Sequence, residues 1–326
     1  MIAYVARRLL LFIPMAGGMV VVTFGLLLLI PGDPASVLLG QEASAEAIAS
    51  LREALGLNDP WYTRLWSYFA ALLRGDMGRS IFQNQPVAVI IAGRLGATIE
   101  LAVFSLLLAT LLGLALGVIA AMRQGSIVDT ATMLLAQLGV SMPVYWLGLL
   151  LMLAFAVTLG WLPAIGRGEP LVPAMGAALS GRPHVLLDSL SHILLPALAL
   201  AANSAAIISR LVRASMLEVM REDFVRTAYA KGLRRPRVIL RHVLRNALLP
   251  VLSIVGLRFG ALLGGAVLTE SIFAWPGLGQ LTIAAISQRD LPLIQGIVLT
   301  FAIIFALVNL VVDLLYAAVD PRIRLG

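Results

Sequence analysis

The sequence predicts an all-α, polytopic membrane protein with six transmembrane helices, and three observations carry that reading. The 326-residue chain is 60% hydrophobic and 13% charged, with a mean hydropathy of +0.96. Soluble domains run roughly 45–50% apolar and about 25% charged. Six apolar runs approach or exceed the length of about 20 residues that a helix needs to cross lipid, where no water can satisfy a free backbone group. The third observation is the placement of charge. The chain carries a net +7, and segment 210–246 alone carries the same +7.

The expected spans lie at 9–30, 97–121, 131–159, 193–209, 247–268 and 294–319. The first follows Arg7 and Arg8, as a signal peptide would. Its apolar run is too long for the usual signal core of about 7–15 residues. The first small-residue pattern after it, Ala43-Ser44-Ala45, lies too far downstream for ordinary cleavage. Residues 1–30 therefore read as an N-terminal segment and an uncleaved first span at 9–30. Segment 31–96 holds Trp61, Tyr62, Trp66, Tyr68 and Phe69, with turn signals at Pro31-Gly32-Asp33-Pro34 and Gly75-Asp76. Aromatics at that density suggest a small folded cap or interfacial helices. Residues 97–319 form a five-span core that includes the basic loop 210–246, and 320–326 is a short tail.

Orientation follows from Lys and Arg beside the spans. With a cytoplasmic N-terminus, the inner segments hold Arg7 and Arg8, Arg123, the 210–246 loop, then Arg322 and Arg324. The outer segments hold eight Arg, but five of them lie in 31–96, a segment long enough to steer topology weakly. Both termini and the basic loop are expected in the cytoplasm.

Within the spans, Gly256, Gly260 and Gly264 fall four apart and share a helix face, as do Gly113 and Gly117. Small residues let membrane helices approach closely, so a packed bundle is expected. Several chemistries are excluded. The single lysine, Lys231, precedes Gly232, so no Walker A loop exists in the chain. There is no cysteine, and His184, His192 and His242 lie in separate segments without an HExxH pattern. Proton- or sodium-driven transporters place ionisable groups inside their spans. Here those groups are few: Arg258, with Glu100 and Asp313 near span ends. Arg258 and Asn203 are candidates for a translocation path. Arg258 reads equally as a path residue meeting a substrate carboxylate or as a structural pair or snorkelling cation.

The basic loop has internal order. "ASMLEVMREDFVRTAYAKGL", residues 214–233, reads as one helix, with Met216, Leu217, Met220 and Phe224 near helical spacing. Gly232 is placed to stop it. "RPRVILRHVLRNALLP", residues 235–250, starts a second helix toward the fifth span. Two amphipathic helices broken by a glycine make a protruding knob, suited to dock a motor that the chain itself lacks. Ala228 and Gly232, small and four apart, lie on one side of the helix end, where they would let the knob seat closely in a partner's groove.

These residues resemble the coupling ("EAA") loop of ABC-importer permeases, in the variant of the dipeptide, oligopeptide and nickel permease family. The matching positions are Asp223, Phe224, Val225, Arg226, Thr227 and Ala228, then Ala230, Lys231, Gly232 and Leu233. Arg241, His242, Leu244, Asn246, Ala247 and Pro250 continue the match. The general pattern carries Glu and Ala where this chain has Arg226 and Thr227, and often proline at Arg245, but the peptide branch tolerates these departures. The likeness extends along the whole chain. It takes in Pro31 to Ala35, "LGLNDPWYTRLWSYFAALLRGDMGRSI", "ESIFAWPGLGQL" from Glu270, "SQRDLPLIQG" from Ser287 and "NLVVDLLYAAVDPRIR" ending at Arg324. It is most similar to the first of two paired permeases. Taken singly, these motifs also serve as turns, interfacial anchors and helix stops.

The resemblance implies a type I ABC-importer permease fold in a bacterial or archaeal cytoplasmic membrane. It implies a second homologous permease, one or two ABC ATPase subunits, a periplasmic or lipid-anchored solute-binding protein, and contact with membrane lipid. ATP and Mg would bind to the ATPases and no cofactor to this chain, which would be non-catalytic. It also assigns ATPase coupling to Asp223, Phe224, Arg226, Thr227, Ala228, Ala230, Lys231 and Gly232. Dipeptides, oligopeptides, nickel chelates, glutathione and some sugars are the family's cargo. A gradient-driven secondary transporter and a membrane scaffold are the rival readings. The net excess of cations is confined to one inward loop, which argues against nucleic acid as a partner.

Overall fold

The computed structural model describes residues 14–25, 33–39, 43–54 and 56–319. Arg7, Arg8, Pro31, Gly32, the 320–326 tail and the side chain of Asp313 lie outside the described residues. In chain order the helices are α1 (Pro14–Gly25), α2 (Pro34–Leu39), α3 (Ala45–Ala54), α4 (Trp61–Leu72), α5 (Val87–Met122), α6 (Ile127–Ser141) and α7 (Val144–Leu151). Then come α8 (Leu171–Leu179), α9 (Pro183–Val219), α10 (Asp223–Ala230), α11 (Arg235–Val238), α12 (Leu244–Ile272), α13 (Leu278–Gln288) and α14 (Leu291–Val319). Among the described residues the one β feature is an isolated antiparallel bridge between Arg79 and Pro86.

Three helices, α5, α9 and α14, are long and apolar enough to cross a membrane. Two bent pairs bring the number to five, and α1 covers 12 residues of the expected first span. The expected straight span at 131–159 is not straight. α6 ends at Ser141, and α7, with the π-helical turn Met152–Thr158 that extends it, departs at 110°. The cause is local. Pro143 disfavours helical backbone in the residue before it, and Met142 is extended at φ −84°, ψ 130°. The second bend, of 50°, divides α12 between Gly264 and Ala266.

The chain divides into two compact units. The first takes residues 1–97, 276–311 and 317–326, and the second 98–275 and 312–316. In the first, Val87 and Ile91 of α5 pack with Leu278 and Leu281 of α13 and with Leu293 and Ile297 of α14. Buried Asp290 holds the turn at the start of α14. Its carboxylate accepts from the Ser80 hydroxyl, from the Ile81 N–H at 3.3 Å and from the Leu293 N–H at 3.3 Å. One side chain thus caps a helix and pins the loop before α5. The clustered aromatics of 61–69 sit on α4, where Trp61, Tyr62 and Trp66 are exposed.

In the second unit α9 is the central element, with α6, α7, α8 and α12 packed around it. The close approach expected of Gly113 and Gly117 is present there. A Cβ on Gly113 would stand 2.7 Å from the Ile208 side chain, and one on Gly117 would stand 2.6 Å from the Ser209 carbonyl oxygen. Gly264 differs: a Cβ there would meet nothing within 4 Å. The core of this unit is continued toward the basic segment by Ile208, Val212, Met216, Val238, Ile239 and Val243.

Candidate functional site

The basic segment does not form one helix from Ala214 to Leu233. α9 ends at Val219, the chain turns through Glu222 at φ −70°, ψ 147°, and α10 restarts at Asp223. The turn has a packing reason. It brings Val225 and Ala228, three apart on α10, against the core formed by Val212, Met216, Val238 and Ile239. A continuous helix would have carried both into solvent. Gly232 follows with φ +76°, a left-handed conformation that costs a side-chain-bearing residue about 1–2 kcal/mol. Its N–H bonds the Tyr229 carbonyl at 2.9 Å, and that turn releases the chain into α11. α11 runs through a π-helical turn, Ile239–Val243, into α12 without interruption.

Ala228, expected to help seat the knob in a partner, is only 7% exposed and packs in this chain's own core. The outward face is built from Asp223, Phe224, Arg226, Thr227, Tyr229, Ala230 and Lys231, all exposed. Phe224 and Tyr229 put two aromatic rings on it. Arg226 pairs loosely with Asp223 at 3.4 Å, and the Thr227 hydroxyl donates to the Asp223 carbonyl at 2.9 Å. Around this face Arg221, Arg234, Arg235, Arg237, Arg241 and Arg245 are exposed. An open groove of about 570 Å³ runs beside it, lined by Arg213, Leu217, Glu218, Arg221, Glu222 and Asp223.

Two ion pairs went unread in the sequence. Arg213 of α9 makes a two-pronged contact with Asp129 of α6, Nε to Oδ1 at 2.7 Å and Nη2 to Oδ2 at 2.8 Å. A signal for Asp129 was present: Ser126 and Asp129 have the S-x-x-D spacing of a helix start, and Ser126 caps α6 by accepting from the Asp129 N–H. Glu100 is engaged by Arg167, 67 positions away, with no sequence signal. The two path candidates, Arg258 and Asn203, are each half-buried. Among the described residues no ion pair involves Arg258 and no hydrogen bond joins it to Asn203. Among the described residues the arrangement offers an exposed, cation-flanked face on a helical frame, and no constellation of nucleophile, base and oxyanion donors.

The family model described as "Binding-protein-dependent transport system inner membrane component" matches residues 113–325, and its N-terminal counterpart matches residues 1–102. The chain belongs to this family of ABC-importer permeases. It is 47% identical to the dipeptide transport system permease protein DppB of Alkalihalophilus pseudofirmus, over 99% of this chain and 100% of that protein. It is 44% identical to the di/tripeptide permease DppB of Pseudomonas aeruginosa, over 99% of both chains. It is 42% identical to the glutathione permease GsiC of Salmonella choleraesuis, again over 99% of both. Among solved structures, a chain of the inward-facing MetNI methionine ABC transporter superposes with a TM-score of 0.56 at 18% identity, covering 72% of this permease and 97% of that chain. At that identity the likeness speaks for the fold, which is that of a type I importer permease. The permease is a membrane-embedded, non-catalytic subunit of an ATP-driven importer.

Proposed function

We propose that this permease imports short peptides, dipeptides and tripeptides with glutathione among them, as half of a translocation path. The observation that carries the reading is full-length similarity to permeases named for those solutes. A second homologous permease completes the path, and a solute-binding protein delivers the peptide from outside. One or two ABC ATPases bind inside and hold ATP and Mg. Transport is then a population shift between inward-open and outward-open bundles, driven by closure of the ATPase pair. The exposed face of α10, ending at Gly232, is the part of this chain that receives the motion. Its two aromatic rings and flanking cations, on a segment clamped to α9, support that role. Both termini and the basic segment are cytoplasmic in this reading, as the distribution of Arg and Lys supports.

Reconstitution with the partner subunits in vesicles tests the reading. ATP-dependent uptake of a labelled dipeptide is expected, and it should vanish when the Walker lysine of the ATPase is replaced. Uptake that ignores ATP and follows a proton or sodium gradient would sink the reading. No dipeptide uptake, with ATP-dependent uptake of another solute, would remove the peptide assignment alone. Arg258→Gln tests the path: an altered rate or selectivity in a normally assembled complex places Arg258 on it, whereas loss of assembly makes it structural.

A further inference from the structure

We infer that the Asp129–Arg213 pair is the positioning couple that carries displacement of the α10 face into the bent pair α6–α7. The inference rests on the proposed coupling role of α10. Arg213 lies four residues before Leu217, on the last turns of α9 and on the rim of the groove beside α10. Val225 and Ala228 clamp α10 to that end of α9 through the core around Val212 and Met216. A push on α10 therefore moves the end of α9, and apolar packing tolerates sliding.

Arg213 adds a directional tie. Its guanidinium meets both oxygens of Asp129 at 2.7 and 2.8 Å, a planar fork that fixes angle as well as distance. Asp129 is held in turn. Its carboxylate is 7% exposed, its Oδ2 also accepts from the Gly125 N–H at 3.0 Å, and its N–H donates to the Ser126 hydroxyl at 3.3 Å. One carboxylate thus joins the α5–α6 turn, the first turn of α6 and the end of α9. α6 leads through Pro143 to α7, so rotation imposed at Asp129 is delivered to the bend. Glu218, Glu222 and Asp223 stand nearby on the groove rim, but among the described residues Arg213 pairs with Asp129 and with none of these three.

The assembled importer in vesicles, bearing Asp129→Asn, Arg213→Lys or Arg213→Gln, tests the couple. The readout is peptide transported per ATP hydrolysed, beside ATPase co-purification. Asp129→Asn keeps the shape and the Gly125 contact, and Arg213→Lys keeps the charge while losing the fork. Each is expected to hold its ATPase and keep hydrolysing ATP, with transport per ATP down about tenfold, the size of a typical coupling between sites. Arg213→Gln should be at least as severe as Arg213→Lys. Wild-type transport per ATP in Asp129→Asn and Arg213→Lys would overturn the inference. Failure of both to assemble would also overturn it, leaving the pair a structural brace. If the wild-type complex itself shows no ATP-dependent uptake, the failure lies with the proposed function.

Discussion

Arg167 lies across Trp275 with its guanidinium carbon 5.5 Å from the ring centroid, and the same guanidinium pairs with Glu100. Glu100 also accepts from the Leu171 N–H at 3.0 Å, at the start of α8. Beside it the Gly166 N–H bonds the Phe273 carbonyl at 2.8 Å. The loop between the π-helical turn and α8 is thus stitched to α5 and to the end of α12. Arginine suits the place because a planar guanidinium can stack and fork at once, which an ammonium cannot.

Arg167→Ala should therefore leave a largely buried carboxylate with one N–H donor. Removing one partner of a buried pair costs about 3 kcal/mol. Arg167→Lys should recover part of the charge and none of the stacking. Thermal unfolding of the purified complex should rank wild type above Arg167→Lys above Arg167→Ala. Limited proteolysis should cut the 159–170 loop faster in the alanine variant. Equal midpoints in all three would show that the contact does not hold the loop.

α10 makes a paired prediction, because one of its sides is exposed and the other is buried. Phe224→Ala and Tyr229→Ala should leave this chain folded, since both rings are exposed. They should weaken ATPase co-purification and uptake. Ala228→Asp acts on the other side. It inserts an unpaired charge at a position buried in the chain's own core, at a cost of several kcal/mol, and should lower the unfolding midpoint before any partner is added. If Phe224→Ala and Tyr229→Ala retain both ATPase binding and uptake, the aromatic face is not a docking surface.

Gly232 separates backbone from side chain. At φ +76°, Gly232→Ala should cost about 1 kcal/mol. Gly232→Pro cannot adopt a positive φ at all. Insertion should be normal in both, as judged by membrane fractionation. Uptake should fall modestly in the first and be lost in the second.

Cysteine labelling checks the orientation, and the chain has no native cysteine to confuse it. Arg221, Arg237 and Ser50 are all exposed. An impermeant maleimide applied to intact cells should react with Ser50→Cys and spare Arg221→Cys and Arg237→Cys until the membrane is opened. The reverse pattern would place the basic segment outside.

Tyr68 on α4 provides a pH signature. Its hydroxyl is buried, no hydrogen-bond partner for it is present among the described residues, and burial pushes its pKa up from 10.0 to about 12. The raised value means that the folded state holds the phenol proton more tightly than the unfolded chain does. The associated stability is complete below pH 10 and falls as pH climbs through the window from 10 toward 12. Tyr68→Phe removes the titrating group and an unsatisfied hydroxyl, so it should match or exceed wild-type stability at neutral pH, by up to about 1 kcal/mol. Its unfolding midpoint should also depend less on pH above 10. An unchanged alkaline slope would show that Tyr68 is solvated.

What the sequence determined by itself is what depends on local composition. Crossing lipid requires a run of apolar residues, and a run is legible without any partner. The cationic character of the basic segment was legible for the same reason, as was the glycine that ends α10. Gly113 and Gly117 could be read as a contact face because a four-residue spacing is local geometry. The bend at Pro143 was legible in principle, since the dipeptide Met142-Pro143 carries its own backbone restriction. The rest was decided by tertiary structure. The turn at Glu222 exists because Val225 and Ala228 gain a core to enter, and that core comes from α9, α11 and the π-helical turn after it. The same packing turned Ala228 inward and left Phe224 and Tyr229 facing out, a choice that spacing alone left open. Glu100 with Arg167 and Asp129 with Arg213 are 67 and 84 positions apart. Each ion in those pairs looked like an isolated charge until the fold placed its counterpart within reach.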